Sequence, residues 1–440
     1  MNFRQYPTMT KCVIPDGIRL STTNFYNTFN NMRQLQNIII SNKVTDMINT
    51  YDNCTSLTTA VCGPNVTNMQ YTYRKCTSLT TAVCGPNVTN MYYTYNSCTK
   101  LTTAVCGDKV TDMSLAYYGC TNLTTAVCGD KVTNMYCTYG GCTKLTTAVC
   151  GSNVTNMDST YASCINLTTA IYGLNVTTMY CTYAGCTKLT TAVCGPNVTN
   201  MHATYQECTN LTTAVCGDKV TDMAQAYSSC TKLTTAVCGP NVNILYSTYY
   251  NCTNLTTAVC GSNVTNMVNT YASCTKLATA VCGPNVTDMS GTYCNCHNLT
   301  TAVCGSNVTY MVNSYYNCRN LTTAACGPNV IFIRNAYYNC RNIQGNTYFY
   351  SNSIGNAHNC FYNRNTSNRL NIYVHAGTTT NTTVMKTTST TSLTGTAITW
   401  ATDATNNCRY NTTYNLYIYR VANVEAARIA NGDPDYMGNI

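Results

Sequence analysis

The chain has 440 residues and a formal net charge of +9, yet only 9% of its residues are charged. Soluble domains usually contain roughly a quarter charged residues, so the hydroxyl and amide groups of Thr, Asn and Tyr must keep this chain in solution. The positive charge is spread thinly along the sequence, without the runs of about five or six basic residues that would point to a nucleic-acid partner. No apolar run approaches the roughly 18 residues that span a bilayer, which argues against membrane insertion.

Residues 1–31 precede the regular part of the sequence and are predicted to form an N-terminal cap. They lack a basic region followed by an apolar stretch of roughly 7 to 15 residues, so we predict no secretory signal peptide. A protein of this kind that acts outside a cell leaves by another route or belongs to a virion released by lysis. A cytosolic location stays open.

Residues 32–365 repeat with a period of 22 residues. Cysteine recurs at this interval fourteen times, from Cys54 to Cys340, without a slip. Leu57, Val66 and Tyr73 begin further series in the same phase. One such unit cannot enclose a core, but stacked units bury their apolar side chains against one another. The pattern therefore predicts a mainly β solenoid of about 14 coils, spaced about 4.8 Å apart.

The segment Leu-Thr-Thr-Ala-Val-Cys at residues 57–62 predicts one β-strand per repeat. It is rich in β-forming residues and is followed by Gly63, which predicts a turn. Leu57, Ala60 and Cys62 are expected to face inward, and Thr59 and Val61 outward. The outer Thr and Val ladders form either an oligomer interface or an exposed face on which the Thr hydroxyls reduce the apolar surface.

The repeat resembles the BspA-like leucine-rich repeats of bacterial, viral and protist surface proteins. The pattern of that family has Cys, then Leu, a short strand ending in Ile-Pro, then Val, Ile and an Ala-Phe pair. Here Val66 and Met69 occupy the Val and Ile places, Thr72 and Tyr73 the Ala-Phe place, and Cys76 the cysteine place. The resemblance covers about residues 30–365 and implies adhesion and surface display, without catalytic residues. The repeat is one residue shorter than usual and has Cys-Gly in place of Ile-Pro, which leaves the curvature open.

Residues 366–440 differ in composition and are predicted to form a small β-rich capping or assembly domain. The segments LNIYVHAG, TAITWAT and YNLYIYRV predict strands, and NVEAARIANG predicts a short helix with Asn423 as its N-cap and Gly432 after its end. Capping of the array and assembly are both compatible with this domain. The tail is similar to the ends of repeat proteins from gut tailed phages.

The chain contains 32 cysteines, of which 26 belong to two ladders that begin at Cys54 and Cys62. Equivalent cysteines in stacked coils have parallel Cβ vectors, which disfavours the torsion of a disulfide. We therefore predict buried free thiols. The absence of Cys-x-x-Cys spacing argues against a structural metal, and no cofactor is predicted. The many Asn-Val-Thr sequons coincide with the turn and are interpreted as structural.

Catalysis is not expected, because the four histidines share no spacing with one another or with carboxylates. Binding is more plausible, since variation among the repeats is concentrated at the two positions after Met69 and the two before each ladder cysteine. In a solenoid, one repeat position forms one longitudinal stripe. The candidate binding residues are Tyr71, Tyr92, Tyr93, Tyr136, Tyr180, His202 and Tyr246. Relaxed constraint on an exposed turn is the alternative.

A second regular feature is a row of lysines in alternate repeats, with asparagine between them. The row consists of Lys100, Lys144, Lys188, Lys232 and Lys276. The alternation keeps the charges about 10 Å apart, near the screening length at physiological salt, which favours a role in solubility. The same row could bind an acidic polysaccharide.

The sequence thus predicts a non-enzymatic, surface-exposed repeat protein that presents an elongated face to a glycan or a surface protein. Adhesion or host attachment is the expected role, at an extracellular, virion or cell surface, and a homo-oligomer is possible. One alternative is a structural decoration or filament subunit that assembles through the sheet face and the C-terminal domain. Another is an intracellular interaction scaffold.

Overall fold

A computed structural model of the chain describes residues 3, 5–17, 20, 22–351, 354, 359–362, 364–375, 401–403, 408–411 and 415–433. The chain divides into two units, residues 1–219 and 220–440. The first unit begins with two parallel strands, β1 (Lys11–Val13) and β2 (Asn37–Ile39). Stacked 22-residue coils follow, and the second unit continues with coils of the same kind.

The core of each coil is built from the side chains of the periodic positions. In the coil that starts at Cys54, the side chains of Leu57, Val66, Met69 and Tyr73 are fully buried. Burying one such apolar side chain stabilises a fold by about 1.5–3 kcal/mol, and every coil repeats the set. The stacked solenoid that the period predicts is confirmed in both units.

Successive coils are joined by backbone hydrogen bonds on two sides. The Thr67 N–H donates to Thr45 O in the preceding coil at 2.9 Å, and the Tyr73 N–H donates to Thr94 O in the following coil at 2.9 Å. Within a coil, turns close the chain on itself, as where the Val66 N–H donates to Gly63 O at 3.2 Å. Most backbone hydrogen bonds of a coil therefore connect it to its neighbours or close its own turns.

The strand predicted over residues 57–62 is wrong in its extent. In the coils between β2 and the end of the array, this segment contributes at most one isolated parallel bridge, such as Thr59 to Thr81, and a second line of bridges runs through Asn68. The cause is the hydroxyl of Tyr73, which accepts the Val61 N–H at 2.8 Å and donates to Val61 O. A regular strand would give those two backbone groups to a neighbouring coil.

We call this pair of hydrogen bonds the tyrosine clamp; it joins a tyrosine to the residue 12 positions earlier. Where a regular strand forms, the clamp is absent. Ile39, at the end of β2, accepts a hydrogen bond from the Ile14 N–H at 2.8 Å, and the hydroxyl of Tyr51 is buried without a partner. In the last coil the strand contains Phe349, and the aromatic residue 12 positions later is Phe361, which has no hydroxyl.

The clamping tyrosines, together with Tyr51 in the first unit, form a continuous stack of rings in each unit. In the first unit, ring centroids from Tyr51 to Tyr205 are 5.2–5.7 Å apart, with planes within 18° of parallel. In the second unit, the stack from Tyr227 to Tyr337 has the same geometry and ends on Phe361. The stack fixes the ring positions, so each hydroxyl meets its own backbone target.

The fully buried cysteine ladder supplies hydrogen-bond donors to the coil before it. The Cys76 thiol donates to Tyr51 O at 3.1 Å, and beside it the Thr72 hydroxyl donates to Met47 O at 2.8 Å. The cysteines whose side chains the structure describes, from Cys12 to Cys360, are free thiols, as predicted. They act as polar groups as well as small apolar ones.

The cysteines of the second ladder are half-buried in most coils. Most of their thiols pack against a glycine of the next coil. A Cβ atom added to Gly85 would lie 2.8 Å from Cys62 Sγ and 3.0 Å from Gly63 O of the preceding coil. The thiol of one coil therefore occupies the space that a side chain would need in the next. Leu57 and Ala60 face the core and Thr59 is exposed, as predicted, whereas Cys62 is half-buried.

The second unit ends in a five-stranded sheet with the order β3-β4-β7-β6-β5. The strands are β3 (Gly345–Phe349), β4 (Leu370–His375), β5 (Ala401–Asp403), β6 (Cys408–Asn411) and β7 (Leu416–Val421). Strands β3, β4 and β7 are parallel, and β6 and β5 are antiparallel to their neighbours. Because Cys326 bridges to Phe349, the sheet continues the line of coils.

The strands and helix predicted for the tail are largely confirmed. Strands β4 and β7 match LNIYVHAG and YNLYIYRV, and β5 overlaps the end of TAITWAT, most of which lies outside the described residues. Helix α1 (Val424–Ala430) has Asn423 as its N-cap, whose side chain accepts the Ala426 N–H at 3.0 Å. The sequence did not predict β6. The boundaries of the cap, repeat region and C-terminal domain stay a prediction.

Removing one clamp hydroxyl should weaken the array. In the variant Tyr139→Phe, the Val127 N–H, which donates to the hydroxyl at 2.9 Å, and Val127 O lose their partner. An unsatisfied buried backbone group costs about 1–3 kcal/mol, and we expect a loss of this size in the free energy of unfolding by urea. The control is Tyr136→Phe, at a residue that is 43% exposed, which should change stability little. Equal effects of the two substitutions would contradict the clamp.

The buried thiols should make the fold sensitive to alkali. Burial raises the pKa of Cys120 from 9.0 to about 12, so above pH 9 this thiol ionises in the unfolded chain while it stays protonated in the folded one. Stability should therefore fall as the pH rises from 9 towards 12. Urea midpoints measured between pH 7 and pH 10.5 test this, and a constant midpoint would show that the thiols are not buried.

Candidate binding surface

The positions after each core methionine lie on a tight turn that is exposed only in part. We define the variable stripe as residues 70 and 71 and their equivalents in the other coils. The side chain of Asn68 accepts the Gln70 N–H at 3.0 Å, and the Tyr71 N–H donates to Tyr92 O in the next coil at 2.9 Å. These hydrogen bonds use only the backbone N–H and C=O groups of the stripe residues. The fold therefore does not depend on which side chains the stripe carries.

The second position of the stripe has a left-handed backbone in every described coil. Tyr71, Tyr93 and Leu115 have φ values of 55°, 56° and 56°. Asn and Gly adopt this conformation easily, and Asn fills the position in coils near both ends, as at Asn49 and Asn313. A bulky residue with positive φ costs roughly 1–2 kcal/mol. Strain of this kind is typical of positions kept for function.

Three of the predicted binding residues form one aromatic cluster in the first unit. The rings of Tyr71 and Tyr93 stack at 4.9 Å, and Tyr92 meets them edge-on at 5.3 and 4.6 Å. The guanidinium of Arg74 lies 5.3 Å from the Tyr71 ring, and Asp52 holds it with two hydrogen bonds of 2.8 Å. The cluster is therefore a pre-ordered surface whose edge is formed by an ion-paired guanidinium.

The other predicted residues lie on the same stripe but outside this cluster. Tyr180 contacts His202, with ring centroids 5.2 Å apart. The backbone N–H of Tyr180 donates to Asp158 in the preceding coil at 3.0 Å. Tyr136 in the first unit and Tyr246 in the second have exposed side chains. The structure thus brings together Tyr71, Tyr92 and Tyr93, and separately Tyr180 and His202.

The predicted lysine row is exposed in both units. Lys100, Lys144, Lys188, Lys232 and Lys276 all lie on the surface. The asparagines between them are structural, since the amide of Asn122 donates to Thr99 O at 2.8 Å and that of Asn166 to Thr143 O at 2.7 Å. Whether the lysines bind anything stays a prediction.

The face that carries Thr59 and Val61 is more polar than the sequence predicts. Thr58 and Thr59 are exposed, but Val61 is half-buried and its backbone is held by the clamp. Because the exposed positions bear hydroxyls, this face has no continuous apolar stripe in the coils that the structure describes.

An open groove of about 800 Å³, lined by Asn, Thr and Lys side chains, runs along the first unit at the Asn-Val-Thr turns. Each lining amide binds the preceding coil, as where Asn175 donates to Ser152 O at 2.8 Å. The lining residues are Thr111, Lys131, Thr133, Asn153, Thr155, Asn175, Thr177, Asn197, Thr199 and Lys219. These amides hold the coils together, which agrees with a structural role for the sequon asparagines.

Two residues that matter for the site were not predicted from the sequence, namely Arg74 and Asp52. Both lie at variable positions, and their separation of 22 residues is the signal that would have paired them. Among the described residues, no cluster of three or more His, Cys, Asp or Glu side chains could hold a metal ion. The described part of the chain contains no helix long and apolar enough to cross a membrane.

The chain belongs to the BspA-type leucine-rich repeat family. The model of the BspA-type leucine-rich repeat region matches six times, at residues 2–124, 70–190, 114–234, 157–278, 202–322 and 244–368. Proteins of this family are generally not enzymes. No curated protein matches the sequence.

Among solved structures, a leucine-rich repeat protein from Bacteroides ovatus is similar in fold. Its TM-score is 0.62 at 16% identity, over 77% of this chain and 86% of that one. A leucine-rich cell surface protein from Faecalibacterium prausnitzii matches at 19% identity, over 71% of this chain and 86% of that one, with a TM-score of 0.42. The first likeness supports the repeat fold and nothing beyond it.

The strain in the variable stripe can be measured directly. Replacing Leu115, with φ of 56°, by Asn should raise the free energy of unfolding by about 1 kcal/mol, because Asn adopts the left-handed region more easily. The control is Leu115→Ala, which keeps a Cβ atom at positive φ and should give no such gain. If the Asn variant is no more stable than the Ala variant in urea unfolding, the position is not strained.

Proposed function

We propose that this chain is a non-enzymatic surface protein whose variable stripe binds a glycan or a surface protein. The observation that carries the proposal is the presence of bulky side chains at strained positions of an otherwise constant scaffold. Tyr71, Tyr93 and Leu115 occupy a left-handed position where Asn serves in other coils. Their side chains therefore bring a benefit that the fold itself does not need.

The chemistry of the stripe suits recognition. Tyrosine offers a large rigid contact area and a hydroxyl at low entropic cost, and aromatic anchors with a nearby arginine dominate many binding interfaces. In the cluster, Asp52 already orders Arg74, which lies against Tyr71. A ligand would therefore meet groups whose positions are fixed before binding.

The family supports a place at a surface, and adhesion or attachment of a cell or a virion is the role that we favour. The competing role, a subunit that assembles through the sheet face and the C-terminal domain, has less support. The exposed positions of that face bear threonine hydroxyls, and an obligate interface is normally apolar.

A glycan array and a panel of surface proteins, probed with the full chain, test the proposal. We expect the triple variant Tyr71→Ser, Tyr92→Ser and Tyr93→Ser to bind its best ligand at least tenfold more weakly, since one aromatic anchor contributes about 2 kcal/mol or more. The matched control is Tyr172→Ser, at a tyrosine that is 44% exposed and occupies a position of the second cysteine ladder, away from the variable positions. Binding that survives the triple variant, or falls equally in the control, contradicts the proposal. Ordered multimers in native mass spectrometry, without ligand binding, would favour the assembly role.

A further inference from the structure

One part of the chain lacks acidic residues. Between Asp288 and Asp403 the sequence has six Lys and Arg residues and not one Asp or Glu. The basic residues are spread thinly here as elsewhere, but the net charge of this stretch is positive. A stretch of this kind has no carboxylates of its own to neutralise its guanidinium groups.

Part of this charge forms a row across the last coils of the array. His297, Arg319 and Arg341 occupy the same repeat position in three successive coils, where most other coils have Thr. Both arginines are exposed. Adjacent coils place them about 5 Å apart, so the two like charges repel each other. The lysine row avoids this by alternation, which makes the arginine row unfavourable for the fold alone.

A ladder of asparagine side chains orients the arginines. The amide of Asn317 donates to Asn295 Oδ1 at 2.7 Å, and that of Asn339 to Asn317 Oδ1 at 2.5 Å. Arg319 Nε donates to Asn317 Oδ1, and Arg341 Nε to Asn339 Oδ1, each at 3.1 Å. A guanidinium has five N–H donors, so binding through Nε fixes its plane and leaves the terminal nitrogens for an anion.

His297 belongs to the same arrangement. Its Nε2 lies 3.3 Å from Asn317 Nδ2. Burial and the charge of Arg319 lower the pKa of His297 below its usual value of 6.5. The imidazole is therefore neutral at neutral pH and extends the row as a hydrogen-bonding group.

A second ladder, of tyrosines, runs beside the asparagines. Tyr316, Tyr338 and Tyr362 stack with centroids 4.8 Å apart and with interplanar angles of 5° and 18°. Because these rings cover one another, their faces are not available to stack on the bases of a nucleic acid. A ligand would instead meet ring edges and hydroxyls in a regular series.

We infer that this surface, built from Arg319, Arg341 and the Asn and Tyr ladders, binds a linear acidic polysaccharide. Guanidinium groups bind carboxylate and sulfate oxygens in pairs, and the amides and tyrosine hydroxyls suit the hydroxyls of a sugar chain. Two neighbouring guanidinium groups at coil spacing match a polymer that carries anionic groups at regular intervals. The inference does not rest on the variable stripe, because it uses other repeat positions.

The test measures binding of the full chain to heparin and to polygalacturonate, which carry sulfate and carboxylate respectively. We expect the double variant Arg319→Gln and Arg341→Gln to bind at least one of them tenfold or more weakly. The matched control, Arg33→Gln and Lys43→Gln, removes the same charge from two exposed positions outside the lysine row and the variable stripe, and it should change binding less than twofold. Which polymer responds identifies the anionic group, and circular dichroism checks that both variants fold.

Three results would overturn the inference. The chain binds neither polymer, both double variants weaken binding equally, or single-stranded DNA or polyglutamate binds more tightly than either polysaccharide. The first two would show that no built site exists, and the third would assign the surface to another class of polymer. The serine triple variant in the aromatic cluster should bind the acidic polymers unchanged, so a failure of the proposed function leaves this test intact.

Discussion

The hydrogen bonds between a buried tyrosine hydroxyl and the backbone 12 residues earlier hold the coils between β2 and β3 in their shape. In a conventional solenoid, the backbone N–H and C=O groups of the segment equivalent to residues 57–62 form hydrogen bonds as a strand. When that strand is absent, these groups need other partners, because burying them without partners is costly. Here Tyr139 holds both polar groups of Val127, and the other clamp tyrosines do the same. The orphan hydroxyl of Tyr51, in the coil that has strand β2, shows that strand and clamp compete for the same backbone.

The departures from the family pattern follow from this interaction. The family has Phe where this chain has Tyr, and Ile-Pro where it has Cys-Gly. With the backbone held by a hydroxyl, the segment needs no strand, and the half-buried thiol of Cys62 fits against Gly85 of the next coil. The other ladder, represented by Cys76, donates to the carbonyl one coil back. Tyrosine, cysteine and glycine thus replace the ladder of a conventional sheet.

Much of this could be predicted from the sequence because the repeat is so regular. The period, the core series that begins at Leu57 and the N-cap at Asn423 all follow from residue types at fixed spacings. The clamp could not be predicted, since nothing in the spacing of Tyr73 and Val61 reveals that a hydroxyl reaches a backbone. Strand propensity over residues 57–62 therefore predicted a strand that the clamp replaces.

The candidate sites were only partly predictable for a related reason. The stripe that includes Tyr92 could be predicted from the variation between repeats. The left-handed backbone at Tyr93, which shows that a bulky side chain is strained there, could not be predicted. Arg319 and Arg341 were missed because charge was judged by runs along the chain. In a solenoid, residues 22 apart in sequence are neighbours in space, so a basic patch shows no basic run.

Amide hydrogen exchange at single residues tests the clamp most directly. If the hydroxyl of Tyr139 holds Val127, the Val127 amide should exchange as slowly as the Met135 amide, which donates to Asn156 O in the next coil at 3.0 Å. In the Tyr139→Phe protein, the Val127 amide should exchange much faster while the Met135 amide stays protected. Rapid exchange of Val127 in the native protein, or no change on removal of the hydroxyl, would show that something other than the clamp shapes the coils.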